Sequence, residues 1–325
     1  MLPNPSSFAY GRMSRYVIQR LLGMLAVMFV VVTIVFIIVR IAPGDPAAVM
    51  LGPDATAQDI AALRTRLGLD QPLIVQYGIF FGQLLQGDLG ESIFLNRPVL
   101  TALADRAEPT FFLTLFSMVI AGLIAIPVGI LSAYWRGSLF DQVSTTLAML
   151  AASIPSFWLG LLLIQFFAVR LGIFPVSGYG GPGASLLTRL SHLVLPALSL
   201  GIVSSALILR FTRASMLDVL NDDYVRTARS KGMSEFRVVM KHAFKNALIP
   251  VLTVIGLTAA LLVSGAVVTE TVFGLPGVGN LVVSAVLRRD YPVIQGALLI
   301  VAALYVLINF LIDMLYLLID PRVRY

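Results

Sequence analysis

The chain has 325 residues, 58% of them hydrophobic and only 12% charged, with a net charge of +6. Soluble domains carry about 25% charged residues, so this chain lacks the polar surface to cover itself in water and reads as a membrane protein. It contains no Cys, which excludes disulfides, thiolate metal sites and Cys nucleophiles.

A helix needs about 20 mostly apolar residues to cross a bilayer core, and an Arg, Lys or Asp at its centre costs roughly 2.5–3.5 kcal/mol. Charge-free windows are therefore a sharp filter. Six occur, at 21–39, 109–135, 142–169, 190–209, 246–269 and 291–312. Six crossings put both termini on one side. Among the short connections Lys and Arg favour the side of the termini, which predicts cytoplasmic ends. The fold class that follows is all-α: a polytopic membrane protein with six transmembrane helices. Arg12, Arg15 and Arg20 before the first window resemble the start of a signal peptide. The window is long for one, however, and "RIAPGDP" is a poor cleavage site, so it is read as a retained helix.

Residues 40–108 form the one sizeable segment between spans on the outer side. "DATAQDIAALRTRLGLDQP" places Ile60, Leu63 and Leu67 at helical spacing before Gly and Pro stops. "LIVQYGIFFGQLLQG" is apolar but short for a crossing and reads as an interfacial or packed helix. Inside the windows lie Pro127, Pro155 and Pro196. Each removes a backbone donor that neighbouring helices can compensate, either as an ordinary kink or to shape a path.

Catalytic chemistry finds little support. There is no phosphate-binding Gly-Lys-Ser/Thr loop, no His-Glu-x-x-His, and the two histidines, His192 and His242, are fifty residues apart. No Ser-His-Asp set can be assembled. Catalytic residues and metal ligands are therefore not assigned. Glu270 ends the fifth window, Asp313 interrupts the helix of the sixth, and Asn309 lies one turn earlier. Intramembrane acids are functional candidates by default, so these three are candidate structural or path residues.

The densest basic stretch separates the fourth and fifth windows on the cytoplasmic side: "NDDYVRTARSKGMSEFRVVMKHAFKNALIP". It reads as two short helices. Asn221 is a candidate N-cap with Asp222 and Asp223 in the first turn, and Leu217, Leu220, Tyr224 and Ala228 could line one side. Arg226, Arg229 and Lys231 fall near the C-terminal end, and Gly232 supplies a left-handed stop. Ser234 is a candidate cap for the second helix, which Glu235 begins. Phe236, Val239, Met240, Ala243 and Phe244 then make an apolar stripe, and Arg237, Lys241 and Lys245 a cationic one. Charge alone fits a loop lying on anionic lipid. Two separated faces with a Gly between them fit docking on another protein better.

This stretch resembles the cytoplasmic signature loop of ATP-binding-cassette importer permeases, in its dipeptide/oligopeptide form. The superfamily's Glu-Ala-Ala positions hold Arg226, Thr227 and Ala228, Gly232 keeps its place, and Lys245 stands where the wider pattern has Pro. "RIAPGDPA", "LGLDQP", "GDLGES", "ETVFGLPGVGNL" and "IDPRVRY" are similar, in this order, to the first (B-type) permease of peptide importers.

The resemblance implies a non-catalytic subunit, forming half of a translocation path for di- or oligopeptides in the bacterial inner membrane. It divides the chain into a cytoplasmic N-terminus 1–20, helix 21–39, a periplasmic segment 40–108, a permease domain 109–319 containing the coupling loop 213–245, and a cytoplasmic tail 320–325. It further implies a second permease, two ATPase subunits carrying the ATP and Mg, and a periplasmic solute-binding protein that segment 40–108 could contact. Tyr224, Ala228, Arg229, Lys231, Gly232, Met233, Glu235, Phe236 and Arg237 would form the surface that meets the ATPase. Relatives for nickel, glutathione or oligosaccharide share the architecture. An ATPase-independent channel or carrier is the alternative from another class, and a membrane-embedded enzyme would need a catalytic constellation.

Overall fold

A computed structural model of the chain describes residues 5–41, 45–52, 55–66, 68–181 and 183–319. The expected tail 320–325, with most of "IDPRVRY", lies outside the described residues, as do residues 1–4. The helices are α1 (Pro5–Ile41), α2 (Pro46–Leu51), α3 (Ala57–Arg66), α4 (Leu73–Leu85), α5 (Val99–Tyr134), α6 (Leu139–Ser153) and α7 (Ser156–Leu163). They continue with α8 (Leu186–Leu220), α9 (Asp223–Ser230), α10 (Glu235–Arg237), α11 (Lys245–Phe273), α12 (Val278–Arg288) and α13 (Tyr291–Ile319). Two π-helical stretches, Ile164–Arg170 and Val238–Phe244, extend α7 and join α10 to α11. Strand-like pairing among the described residues is limited to one bridge, Glu91 with Pro98.

Among the described residues five stretches are long and apolar enough to cross a membrane: Val17–Ile41, Val99–Tyr134, Leu186–Leu220, Glu235–Phe273 and Tyr291–Leu315. The sixth expected crossing, window 142–169, is not one straight helix. Leu139–Ser153 and Ser156–Arg170 meet at a 99° bend. The cause is local. Pro155 crowds the residue before it, and Ile154 sits at φ −91°, ψ 127°, outside the helical region. By contrast Pro127, Pro196 and Pro250 are carried within α5, α8 and α11. Large apolar side chains such as Leu22, Leu25, Leu123 and Leu161 face outward on these helices. Water would penalise so much exposed hydrocarbon, and lipid does not.

The chain divides into two compact units. The first comprises Met1–Asp105 and Val282–Phe310. In it α4 packs along α1, with Phe36 edge-on to Tyr77 at 5.1 Å, Phe29 against Phe81 at 6.0 Å, and the Thr33 hydroxyl 2.8 Å from that of Tyr77. Leu299 of α13 joins Val32 and Val35 in the same cluster. Polar signature residues then tie the connections. Asp45 caps α2 by accepting from the Ala47 amide, and Arg64 lies 3.4 Å from Asp45 and 3.5 Å from Asp70. Gln76 donates to the carbonyls of Leu69 and Gln71 and accepts from Arg40. Buried Asp290 receives the Ser92 hydroxyl and the amides of Ile93 and Phe94, which pins "GDLGES" to the start of α13.

The second unit comprises Arg106–Leu281 and Leu311–Tyr325. Its centre is α8, whose apolar window is mostly buried. Close backbone approach makes that packing possible. A Cβ on Gly201 would lie 2.9 Å from Ile120 Cβ, and one on Gly129 would lie 2.8 Å from Thr212 Cβ and 3.0 Å from the Leu209 carbonyl. α5 and α8 therefore touch at nearly main-chain distance at two levels.

Candidate functional site

The basic stretch folds as an elbow between α8 and α11. α8 runs past its apolar window to Leu220, so Asn221 is the C-cap of α8 and not the N-cap of α9; its side-chain amide donates to the Leu217 carbonyl. The N-cap of α9 is Asp222. α9 ends in a Schellman turn. Gly232 has φ +75°, its amide donates to Arg229 O at 2.9 Å, and the Met233 amide donates to Ala228 O at 3.4 Å. Met233 folds back against the cluster of Val225, Ala228 and Val238.

The second expected helix is not a separate piece. Glu235–Arg237 passes through the π-helical Val238–Phe244 directly into α11. The wider π turn shifts which residues face inward. Val238, Val239 and Ala243 are buried, whereas Phe236 and Met240, expected on the same stripe, are exposed. Phe236 leaves 76% of its surface uncovered. Tyr224 is partly exposed and anchored, donating to the His242 carbonyl at 3.2 Å and receiving the Asn246 amide at 2.6 Å. Arg229 bridges the bend to Glu235 at 3.1 Å. Lys231, Arg237 and Lys241 point outward. Phe236 is thus a bare aromatic ring in a stretch whose cations Lys231, Arg237 and Lys241 are exposed as well, following the turn set by Gly232.

Below the elbow, Val239, Ala243 and Ala247 pack with Met216 of α8 and with Ile130 and Ala133 of α5. One turn from Met216, Arg213 grips Asp141. Nε lies 2.6 Å from Oδ1, and the second nitrogen 2.8 Å from Oδ2. The Ser132 hydroxyl, the Gly137 amide and, at 3.4 Å, the Thr145 hydroxyl also donate to the carboxylate. Sequence reading missed this constellation, because the two charges are far apart in the chain. The signal was slight: Asp141 is the one acid between the second and third charge-free windows, and Arg213 is one of several bases that follow the fourth.

Glu270 is fully buried near the end of α11. Its carboxylate accepts from the Thr110 hydroxyl and, at 3.0 Å, from the Asn280 amide, and the Val278 amide donates to Thr110 at 2.9 Å. α11 stops at Gly274, φ +60°, and the chain turns back over the carboxylate. A Cβ at Gly277 would collide with it, and one at Gly279 would lie 2.9 Å from Oε2. Glu270 and Thr110 therefore satisfy the free amides at the start of α12, where a negative charge also suits the helix dipole. Asn309 donates to the Tyr305 carbonyl one turn back on α13, and Asp313 is half-buried further along that helix.

An all-helical, multi-pass chain with a basic elbow between two long apolar helices is an integral membrane subunit, and comparison with known proteins specifies the class. Residues 125–325 match the model of the binding-protein-dependent transport system inner membrane component, and residues 13–114 that of the N-terminal part of such components. The chain is 44% identical over 313 residues to the probable peptide ABC transporter permease protein y4tP of Sinorhizobium fredii, covering 96% of this chain and 100% of the relative. It is 46% identical, with the same coverage, to the glutathione transport system permease protein GsiC of Escherichia coli K12. A chain of the inward-facing MetNI methionine ABC transporter shares the fold, with a TM-score of 0.56 at 20% identity over 67% of this chain and 96% of that one. The chain belongs to the binding-protein-dependent transport system inner membrane component family and is an ABC importer permease.

Proposed function

We propose that the chain is the B-type permease of an ATP-driven importer of short peptides, glutathione among them, in a bacterial inner membrane with both termini cytoplasmic. The names of the relatives at 44% and 46% identity support the substrate class. The single observation that carries the coupling role is the elbow: an exposed Phe236 among cations, held at a fixed angle on the root of α11. In this reading Phe236 seats in a cleft of a separate ATPase subunit that carries the ATP and Mg. Arg229, Lys231, Glu235 and Arg237 set the register, and Ala228, Gly232 and Met233 keep α9 close against the π stretch. Tyr224 fixes α9 to the start of α11.

A second permease completes the path, a second ATPase completes the motor, and a periplasmic solute-binding protein delivers the substrate to the segment 40–108. ATP binding draws the two elbows together, and the long helices that carry them tilt. The ATPases must bind the two permease states with different affinity, or nothing shifts. The test is co-purification from membranes expressing the whole importer. An aromatic anchor at the centre of an interface contributes about 2 kcal/mol or more, so Phe236→Ala is expected to weaken ATPase retention roughly 30-fold while the permease still inserts. Undiminished retention contradicts the reading.

A further inference from the structure

We propose that the Asp141–Arg213 clamp, a buried carboxylate held by a partly buried guanidinium, is a positioning device for transport, locking α5, α6 and α8 into one body so that movement of the elbow reaches the spans undiminished. The inference rests on the coupling role of the elbow. Its grounds are geometric. Asp141 is only 4% exposed, and both its oxygens are filled from two other places in the fold. Oδ1 takes the Ser132 hydroxyl of α5 and Arg213 Nε; Oδ2 takes the second Arg213 nitrogen and the Gly137 amide of the turn after α5. A bidentate guanidinium–carboxylate pair fixes orientation as well as distance. Three elements are thereby tied to a single carboxylate.

The clamp also stands in the right place. Arg213 is one turn before Met216 and Leu217, and these pack with Val239, Ala243 and Ala247 beneath the elbow. Gly129, one turn before Ser132, already brings α5 to main-chain distance of α8. Displacement of α9 therefore meets first the apolar layer around Met216 and then the ion pair.

Stability alone does not account for the pair. A buried ion pair is often no more stabilising than apolar residues of the same volume, whereas removing one partner strands a charge. What the pair adds is a single permitted arrangement. Stretching it even slightly loses several short charge-assisted bonds together, so the three elements move as one or not at all.

The experiment uses the complete importer in lipid nanodiscs with its ATPases and solute-binding protein. Because the chain has no Cys, labels at Trp135→Cys and Arg226→Cys report the distance between the end of α5 and the elbow. With the clamp intact, that distance is expected to stay the same on adding Mg and a non-hydrolysable ATP analogue, while a label pair reporting the separation of the two permeases changes. In the paired variant Asp141→Leu with Arg213→Met, which leaves no stranded charge, the distance should shift or broaden with nucleotide. Stimulation of ATP hydrolysis by the solute-binding protein should fall about tenfold, with unstimulated hydrolysis retained.

Arg213→Lys keeps the charge, loses the fork, and guards against misfolding of the pair; it should show a smaller version of both effects. If either variant assembles and keeps the unmodified distance and stimulation, the clamp proposal is overturned while the elbow reading stands. If the unmodified chain retains no ATPase and shows no nucleotide response, the elbow reading fails and the clamp proposal falls with it.

Discussion

Gly232 sets the angle of the elbow because its φ of +75° lies where a side chain crowds the backbone. Gly232→Ala should cost about 1 kcal/mol and open the turn, seen as faster amide exchange at Met233, whose amide closes the Schellman turn on Ala228; unchanged exchange would show that the turn is held elsewhere. Gly279 is constrained differently. A Cβ there would lie 2.5 Å from Val267 Cα and 2.9 Å from the Glu270 carboxylate. Gly279→Ala should therefore lower the unfolding midpoint in detergent, with a loss of about 1–3 kcal/mol from overpacking. A midpoint equal to the unmodified chain's would contradict the described fit between this loop and α11. The glycines of "ETVFGLPGVGNL" thus have a steric reason that the bare motif did not disclose.

At the scale of elements, α9 is held by a small cluster, Val225, Ala228 and Val238, distinct from the larger layer around Met216. Val225→Asp would bury an unpaired carboxylate and should detach α9 while the long helices persist. Hydrogen exchange would read this as lost protection confined to the elbow; loss across α8 and α11 together would mean that the elbow is not a separate unit of stability.

The elements themselves were largely legible in the sequence, because absence of charge over a membrane thickness leaves few alternatives. What was not legible follows from particular residues. Pro155 was visible as a breaker, but the 99° turn depends on Ile154 being pushed out of the helical region. The inward face of the elbow was misjudged because a 3.6-residue period assigns Phe236 and Met240 to it, whereas the π stretch brings Val238 inward and leaves both exposed. Asp141 and Arg213 pair only because α8 extends beyond its apolar window, which hydropathy does not record.

For the whole molecule, the two compact units divide the labour of the signature motifs. "LGLDQP" and "GDLGES" organise the unit containing α1 and α4, through Gln76 and through Ser92 with Asp290. The elbow and the Glu270 lock belong to the unit centred on α8. In the proposed cycle only the second unit receives force directly, and the first faces the solute-binding protein. The most direct measurement is disulfide or short-linker cross-linking from Lys241→Cys, an exposed elbow position that leaves Phe236 in place and supplies the sole thiol in an otherwise Cys-free permease, in membranes where the assembled importer is hydrolysing ATP. A single cross-linked product with the ATPase subunit, at high yield, is the expected result. A thiol that reacts only with lipid-phase reagents, or only from the periplasmic side, in a transporting assembly would contradict it.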